Sequence, residues 1–118
     1  MGTSDDITQI DIDPERLADW RAEDPHLQVV DVREPYERDA GHIEGSLHIE
    51  LQKLTSQADT VEREHPVVFY CRVGARSEMA AQAFRAAGFE AYSMSGGLQR
   101  WVAEGRALSP EGGSVADH

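Results

Sequence analysis

Short β-branched runs alternate with amphipathic stretches along the chain, and this alternation restricts the fold more than any other feature. "LQVVDV" (27–32), "VVFY" (67–70) and "AYSM" (91–94) read as buried strands. "TQIDI" (8–12) is a shorter strand candidate, and "SLHIEL" (46–51) is a weaker one that leads into a helical stretch at 51–59. Helix patterns lie between them. "DPERLADWRAE" (13–23) begins with Asp13 as N-cap and Pro14 in the first turn, and turns Leu17 and Trp20 inward. "EPYERDAG" (34–41) predicts a short helix or turn, opened by Pro35 and closed by Gly41. From about Arg76 onward, Met79, Ala80, Ala83, Phe84 and Ala87 share a helix face, and Gly88 followed by Phe89 closes that helix. "GGLQRWVAEG" (96–105) is a last helix with Leu98, Trp101 and Val102 inward. Strands that alternate with helices predict an α/β layer fold with a largely parallel sheet. The 118 residues suffice for one domain, placed at 7–108, and the polar segment 109–118 is expected to be a disordered tail.

In such sheets, sites form at the carboxyl ends of strands, beside helix N-termini. The only cysteine, Cys71, sits in that position and opens the loop "CRVGARS" (71–77). A thiol attacks as its thiolate, a form favoured by helix N-termini and nearby arginines. The amides of Arg72, Val73, Gly74, Ala75 and Arg76, curled around the sulfur, would form an anion-binding nest, with Ser77 completing the loop. Gly74 permits the left-handed backbone step such a curl needs. Arg72 and Arg76 add charge and forked donors suited to a dianion. Arg76 is the better candidate, because it falls where the helix begins. Arg72 reads equally well as a solvated side chain. The competing view of Cys71 is an inert small hydrophobe that ends a buried strand. The glycine and two arginines around it argue against that view.

Other residues exclude or narrow the chemistry. Asp31, Arg33 and Glu37 read better as a partly buried ion-pair cluster bracing the sheet edge than as an acid/base set. His42 reads as a hydrogen-bonded structural histidine. The five histidines (His26, His42, His48, His65 and His118) show no metal-ligand spacing, so no metal site and no cofactor are expected. The net charge of −11 disfavours nucleic acid and anionic membranes as partners. No apolar run approaches the ~20 residues that span a bilayer. A lone cysteine and an acidic N-terminus without an apolar core predict a cytoplasmic protein.

"CRVGARS" resembles the active-site loop of rhodanese-type sulfurtransferases in the Cys-x-x-Gly-x-Arg form of single-domain members. The likeness extends to "VVDVREPYERDAGHIEGSLHIEL" (29–51), through Asp31, Arg33, Glu37, Gly41, His42, Ile43, Gly45 and Ser46. It also extends to "GFEAYSMSGGLQRW" (88–101), so three motifs in order span roughly residues 8–108. Glu50 departs from the pattern, which commonly has proline there, and this is expected to alter a turn. The resemblance implies a three-layer fold with a central parallel five-stranded sheet flanked by helices. It also implies a thiosulfate sulfurtransferase activity without metal or cofactor. In that reaction Cys71 takes sulfane sulfur from a small anionic donor and passes it to cyanide or a thiol, including a protein thiol.

Two other functions compete with this one. A phosphatase or arsenate reductase would need Cys-x5-R, whereas Cys71 to Arg76 is Cys-x4-R, one residue shorter. A non-enzymatic persulfide carrier or partner-binding module of the same fold is the second, and the intact loop argues against an inactive form of it.

Overall fold

Five strands run parallel in one sheet in the computed structural model, which describes residues 9–117. In chain order the elements are β1 (Asp11–Ile12), α1 (Pro14–Glu23), β2 (Gln28–Asp31), α2 (Pro35–Ala40), β3 (Leu47–His48), β4 (Val67–Tyr70), α3 (Ala75–Ala86), β5 (Ala91–Met94) and α4 (Gly97–Ala103). Thr8, expected in the first strand, and residue 7, the expected domain start, lie outside the described residues. The sheet order β1-β5-β4-β2-β3 puts β4 at the centre. Phe69 lies opposite Val30 of β2 on one side and Ser93 of β5 on the other. Cys71 is therefore the first residue past the innermost strand.

Strand alternation divides the core into two layers. Val67, Phe69 and Cys71 join Ala80, Ala81, Phe84 and Phe89 on one face. Val68 and Tyr70 join Leu17, Met94, Leu98 and Trp101 on the other. Helices on both faces are what a parallel sheet requires, because each crossover must bury an apolar stripe. No helix among the described residues is long and apolar enough to cross a membrane.

Local signals in the sequence are realised at several helix ends. The Asp13 carboxylate accepts from the Arg16 amide at 2.8 Å, capping α1. At the end of α3, Gly88 adopts φ +96°. The Phe89 amide donates to the Phe84 carbonyl (2.9 Å) and the Gly88 amide to that of Arg85 (3.0 Å). The Phe84 and Phe89 rings meet at 4.7 Å, the apolar contact that accompanies this type of cap.

Other expectations give way to tertiary demands. Residues 51–59 form 3-10 turns at Leu51–Lys53 and Ala58–Thr60 instead of a helix. The Leu51 amide is committed to the Val32 carbonyl (3.1 Å), and the Ser56 hydroxyl bonds the Lys53 carbonyl (3.1 Å). Such local side-chain bonds compete with helix formation. Glu50 takes φ −55°, near the value proline imposes, so this turn keeps a proline-compatible shape. On α3 the buried face is Ser77, Ala80, Ala81 and Phe84, while Met79, Ala83 and Ala87 are exposed. Ser77 bonds Ser93 across to β5 (2.7 Å), and this polar anchor sets the helix rotation. Val102 likewise faces solvent. Residues 109–117, expected as a disordered tail, lie against the domain. Ser109 pairs with His42 as a β-bridge, and Val115 packs on the second core layer. Composition registers the segment's polarity but not these partners.

The rotation of α3 can be checked directly. Met79→Gln is expected to change stability by no more than about 0.5 kcal/mol. Phe84→Ala is expected to cost about 3–5 kcal/mol. Urea unfolding of the two variants measures both.

Candidate active site

The loop after β4 is held from two sides. Its carbonyls at Cys71 and Arg72 accept from the Leu98 and Gln99 amides at the start of α4 (2.8 and 3.0 Å). This contact requires glycine at position 97. A Cβ there would lie 2.4 Å from the Arg72 carbonyl oxygen, and Gly97 has φ +62°. On the other side the loop feeds directly into α3 through Gly74, at φ +117°.

Cys71 is only 1 % exposed. Its sulfur accepts from the Gly74 amide at 3.1 Å. The Ser77 hydroxyl lies 3.6 Å away, within reach of the thiol proton. That hydroxyl also bonds the Gly74 carbonyl (3.1 Å). The sulfur therefore sits in a polar cup at the N-terminus of α3, where helix amides favour negative charge. Val73 and Ala75 are exposed on the loop, and Ser77 is fully buried beneath it.

The arginines point elsewhere than a free anion site. Arg76 grips Glu37 of α2 with both terminal nitrogens, at 2.8 and 3.0 Å. Its pKa is raised above the ordinary value, chiefly by this hydrogen bond, which outweighs burial. The fork expected to receive a substrate is thus occupied by a buried carboxylate. Arg72 approaches Asp117 at 3.5 Å.

The upstream motif forms a network that is buried throughout. Asp31, Arg33 and Glu37 are each 0 % exposed, deeper than the partial burial expected. Arg33 donates from Nε and Nη2 to the two Asp31 oxygens, both at 2.8 Å, and from Nη2 to the Gly41 carbonyl at 2.7 Å. Burial pulls the Arg33 pKa down, but the bond and charge of Asp31 leave it raised. Arg38 reaches Asp31 at 3.4 Å. The Tyr70 hydroxyl donates to Asp31 (3.3 Å) and accepts from the Ile43 amide (3.0 Å). Burial first, and then the charge of Asp31, push the Tyr70 phenol up to about 12. His42 stands apart from the sulfur, with Nδ1 3.2 Å from the Arg38 carbonyl. Glu37 thus joins the network's helix to the cysteine loop, while Asp31 and Arg33 act beneath it.

Sequence reasoning passed over Ser93, Tyr70, Arg38 and Gly97. The first three lie far from "CRVGARS" in sequence or read as ordinary strand and surface residues. Gly97 sits in a visible Gly-Gly pair, but its need for close approach appears only when α4 meets the loop. Among the described residues, no group of three or more His, Cys, Asp or Glu could hold a metal ion.

Comparison with known proteins bears on this geometry. The Rhodanese-like domain family model matches residues 13–104. The chain is 38 % identical over 84 residues to an uncharacterized protein, YqhL, of Bacillus subtilis, covering 70 % of this chain and 67 % of that protein. It is 36 % identical over 78 residues to the thiosulfate sulfurtransferase GlpE of Coxiella burnetii, covering 65 % and 73 %. A rhodanese-related protein from Thermoplasma volcanium matches with a TM-score of 0.79 at 29 % identity, over 86 % of this chain and 98 % of that one.

Two measurements test the network. Breaking a buried pair costs about 3–5 kcal/mol, so Glu37→Ala is expected to lose roughly 3 kcal/mol in urea unfolding. The double variant Glu37→Ala/Arg76→Ala should lose less than the sum of the single losses. The second test uses pH. The Tyr70 phenol is raised from 10.0 to about 12, so its share of stability is fully present below about pH 10 and is lost as pH rises through about 12. That share is roughly 2–3 kcal/mol. Tyr70→Phe should start less stable, through the lost bonds, and fall less steeply over that window. Tyr92, raised to about 12 by burial and its bond to Glu90, keeps some alkaline loss in both proteins.

Proposed function

Because the chain belongs to the Rhodanese-like domain family, we propose that it is a sulfurtransferase in which Cys71 carries the transferred sulfur as a persulfide. The observation that carries this reading is the Cys71 sulfur in its polar cup, with the Gly74 amide donating to it at 3.1 Å. That donor faces the negative charge that Cys71 carries as thiolate at the start and end of each cycle.

In the first half-reaction the Cys71 thiolate attacks the outer sulfur of a sulfane donor such as thiosulfate. A new S–S bond forms, the donor's S–S bond breaks, and its electron pair leaves with sulfite. In the second, an acceptor such as cyanide or a thiolate attacks the outer sulfur of the persulfide, and the Cys71 thiolate is released. No net redox partner is required. This is covalent catalysis in two steps, with ping-pong kinetics. The amide stabilises the Cys71 thiolate before the first step and again as it is released in the second. Gly74 is the loop position whose left-handed φ aims that amide inward. Ser77, held by Ser93, supports the cup from below. Asp31, Arg33 and Glu37 are positioning residues in this scheme, since they brace the loop through Arg76. The donor is a small sulfur compound, the acceptor a cellular thiol that includes protein thiols, and the setting the cytoplasm.

The six-residue span from Cys71 to Arg76 also bears on substrate size. A sulfane sulfur is a single terminal atom, which suits a sulfur buried this deeply. A phosphate ester would have to place a tetrahedral centre above it.

Intact mass after incubation with thiosulfate tests the proposal. A gain of one sulfur atom, removable by cyanide, is expected for the wild type. Cys71→Ser should show no gain and no turnover while keeping its circular dichroism spectrum. Undiminished transfer by that variant would refute a persulfide on Cys71.

A further inference from the structure

Both loop arginines already face carboxylates. Arg76 is filled by Glu37, which is internal to the domain. The partner of Arg72 comes from residues 109–117, which form a strap across the domain. Ser109 and His42 exchange backbone hydrogen bonds at 2.8 and 2.9 Å. The Ser114 amide donates to the Ala40 carbonyl at 2.8 Å. The strap lies so close that a Cβ on Gly41 would be 2.6 Å from the Ser114 carbonyl oxygen. A Cβ on Gly113 would be 2.9 Å from that of Ala40. Val115 then packs on the core, and the Tyr36 hydroxyl donates to the Asp117 carbonyl at 3.1 Å. The strap thus runs along α2 and brings the Asp117 carboxylate to Arg72, one residue from the reactive sulfur.

We infer that Asp117 is a specificity-determining residue: by pairing with Arg72, whose buried Nε has no hydrogen-bond partner among the described residues, it partly offsets the loop's remaining cation and biases the site toward sulfur donors of low negative charge. This deepens the sulfur-transfer reading and rests on it for the choice of donor. The argument is electrostatic. A dianion such as thiosulfate has twice the electrostatic energy of a monoanion in the same potential. The chain carries a net charge of −11, so local cations are what would offset the repulsion of a dianion. Asp117 partly offsets one of them. Its carboxylate is almost fully exposed, so the effect is moderate and sensitive to salt. Monoanionic or neutral sulfane donors, such as thiosulfonates and organic persulfides, lose less by it.

The test uses the full chain with Asp117→Asn and Asp117→Lys. The lone cysteine makes alkylation a report on Cys71 alone. The rate ratio of iodoacetate, an anion, to iodoacetamide, a neutral reagent of similar size, reads the local charge without reference to sulfur transfer. It should rise by about two- to fivefold in Asp117→Asn, rise further in Asp117→Lys, and converge among the variants near 1 M salt. In turnover, kcat/KM for thiosulfate should rise relative to that for an aryl thiosulfonate, in the same order. A ratio that stays flat or falls across the three proteins overturns the inference and leaves the sulfur-transfer reading untouched. If no variant gains sulfur from thiosulfate, the sulfur-transfer reading falls, and the alkylation ratio still decides the role of Asp117.

Discussion

Two opposite charges buried at the carboxyl end of β2 constrain this protein more than any apolar contact. Asp31 and Arg33 are wholly removed from water. Desolvating an ion pair costs several kcal/mol per charge unless the geometry is good and the remaining donors and acceptors are met. The structure meets all but one of them with the Asp31–Arg33 fork, the Gly41 carbonyl, Arg38 and the Tyr70 hydroxyl. Arg33 Nη1 has no hydrogen-bond partner among the described residues, and the guanidinium lies 5.6 Å from the Tyr70 ring centre. Satisfying this pair fixes where α2 starts, where the chain turns at Gly41 and how the end of β4 sits.

The cysteine loop inherits that rigidity. Glu37, on the helix that the buried pair positions, holds Arg76 at the start of α3. On the far side, α4 caps the loop carbonyls through its own first amides. The sulfur is thus positioned by backbone donors and packed helices. Arginine charge contributes less than the loop's composition suggests, because Glu37 and Asp117 offset it. The donor aimed at the sulfur is the Gly74 amide, which favours negative charge on that one buried atom.

Polar residues account for most departures from the sequence pattern. A hydrophobic stripe on α3 points to Met79 and Ala83, yet the helix turns Ser77 inward, because Ser77 finds Ser93 across the layer. The segment 51–59 has helical composition but supplies Leu51 to the end of β2 and anchors Leu54 in the core. The strap after Leu108 reads as solvated chain, and its order comes from glycine-to-backbone contact along α2. In each case a hydrogen bond between distant residues outweighed a local preference of a fraction of a kcal/mol.

By itself the sequence determined the alternation of strands and helices, hence a parallel sheet with helices on both faces. It determined the caps at Asp13 and Gly88 and the placement of Cys71 between a buried strand and a helix N-terminus. These follow from short-range chemistry: β-branching, periodicity, and the conformational limits of proline and glycine. Only the tertiary structure decided which carboxylate each arginine meets, how far the Asp31–Arg33 pair is buried, which face α3 turns inward and that residues 109–117 reach the loop. Those outcomes depend on groups up to 81 residues apart, as Tyr36 and Asp117 are. Their pairing is settled by the shared cost of burying polar atoms, a cost that no local stretch of sequence carries on its own.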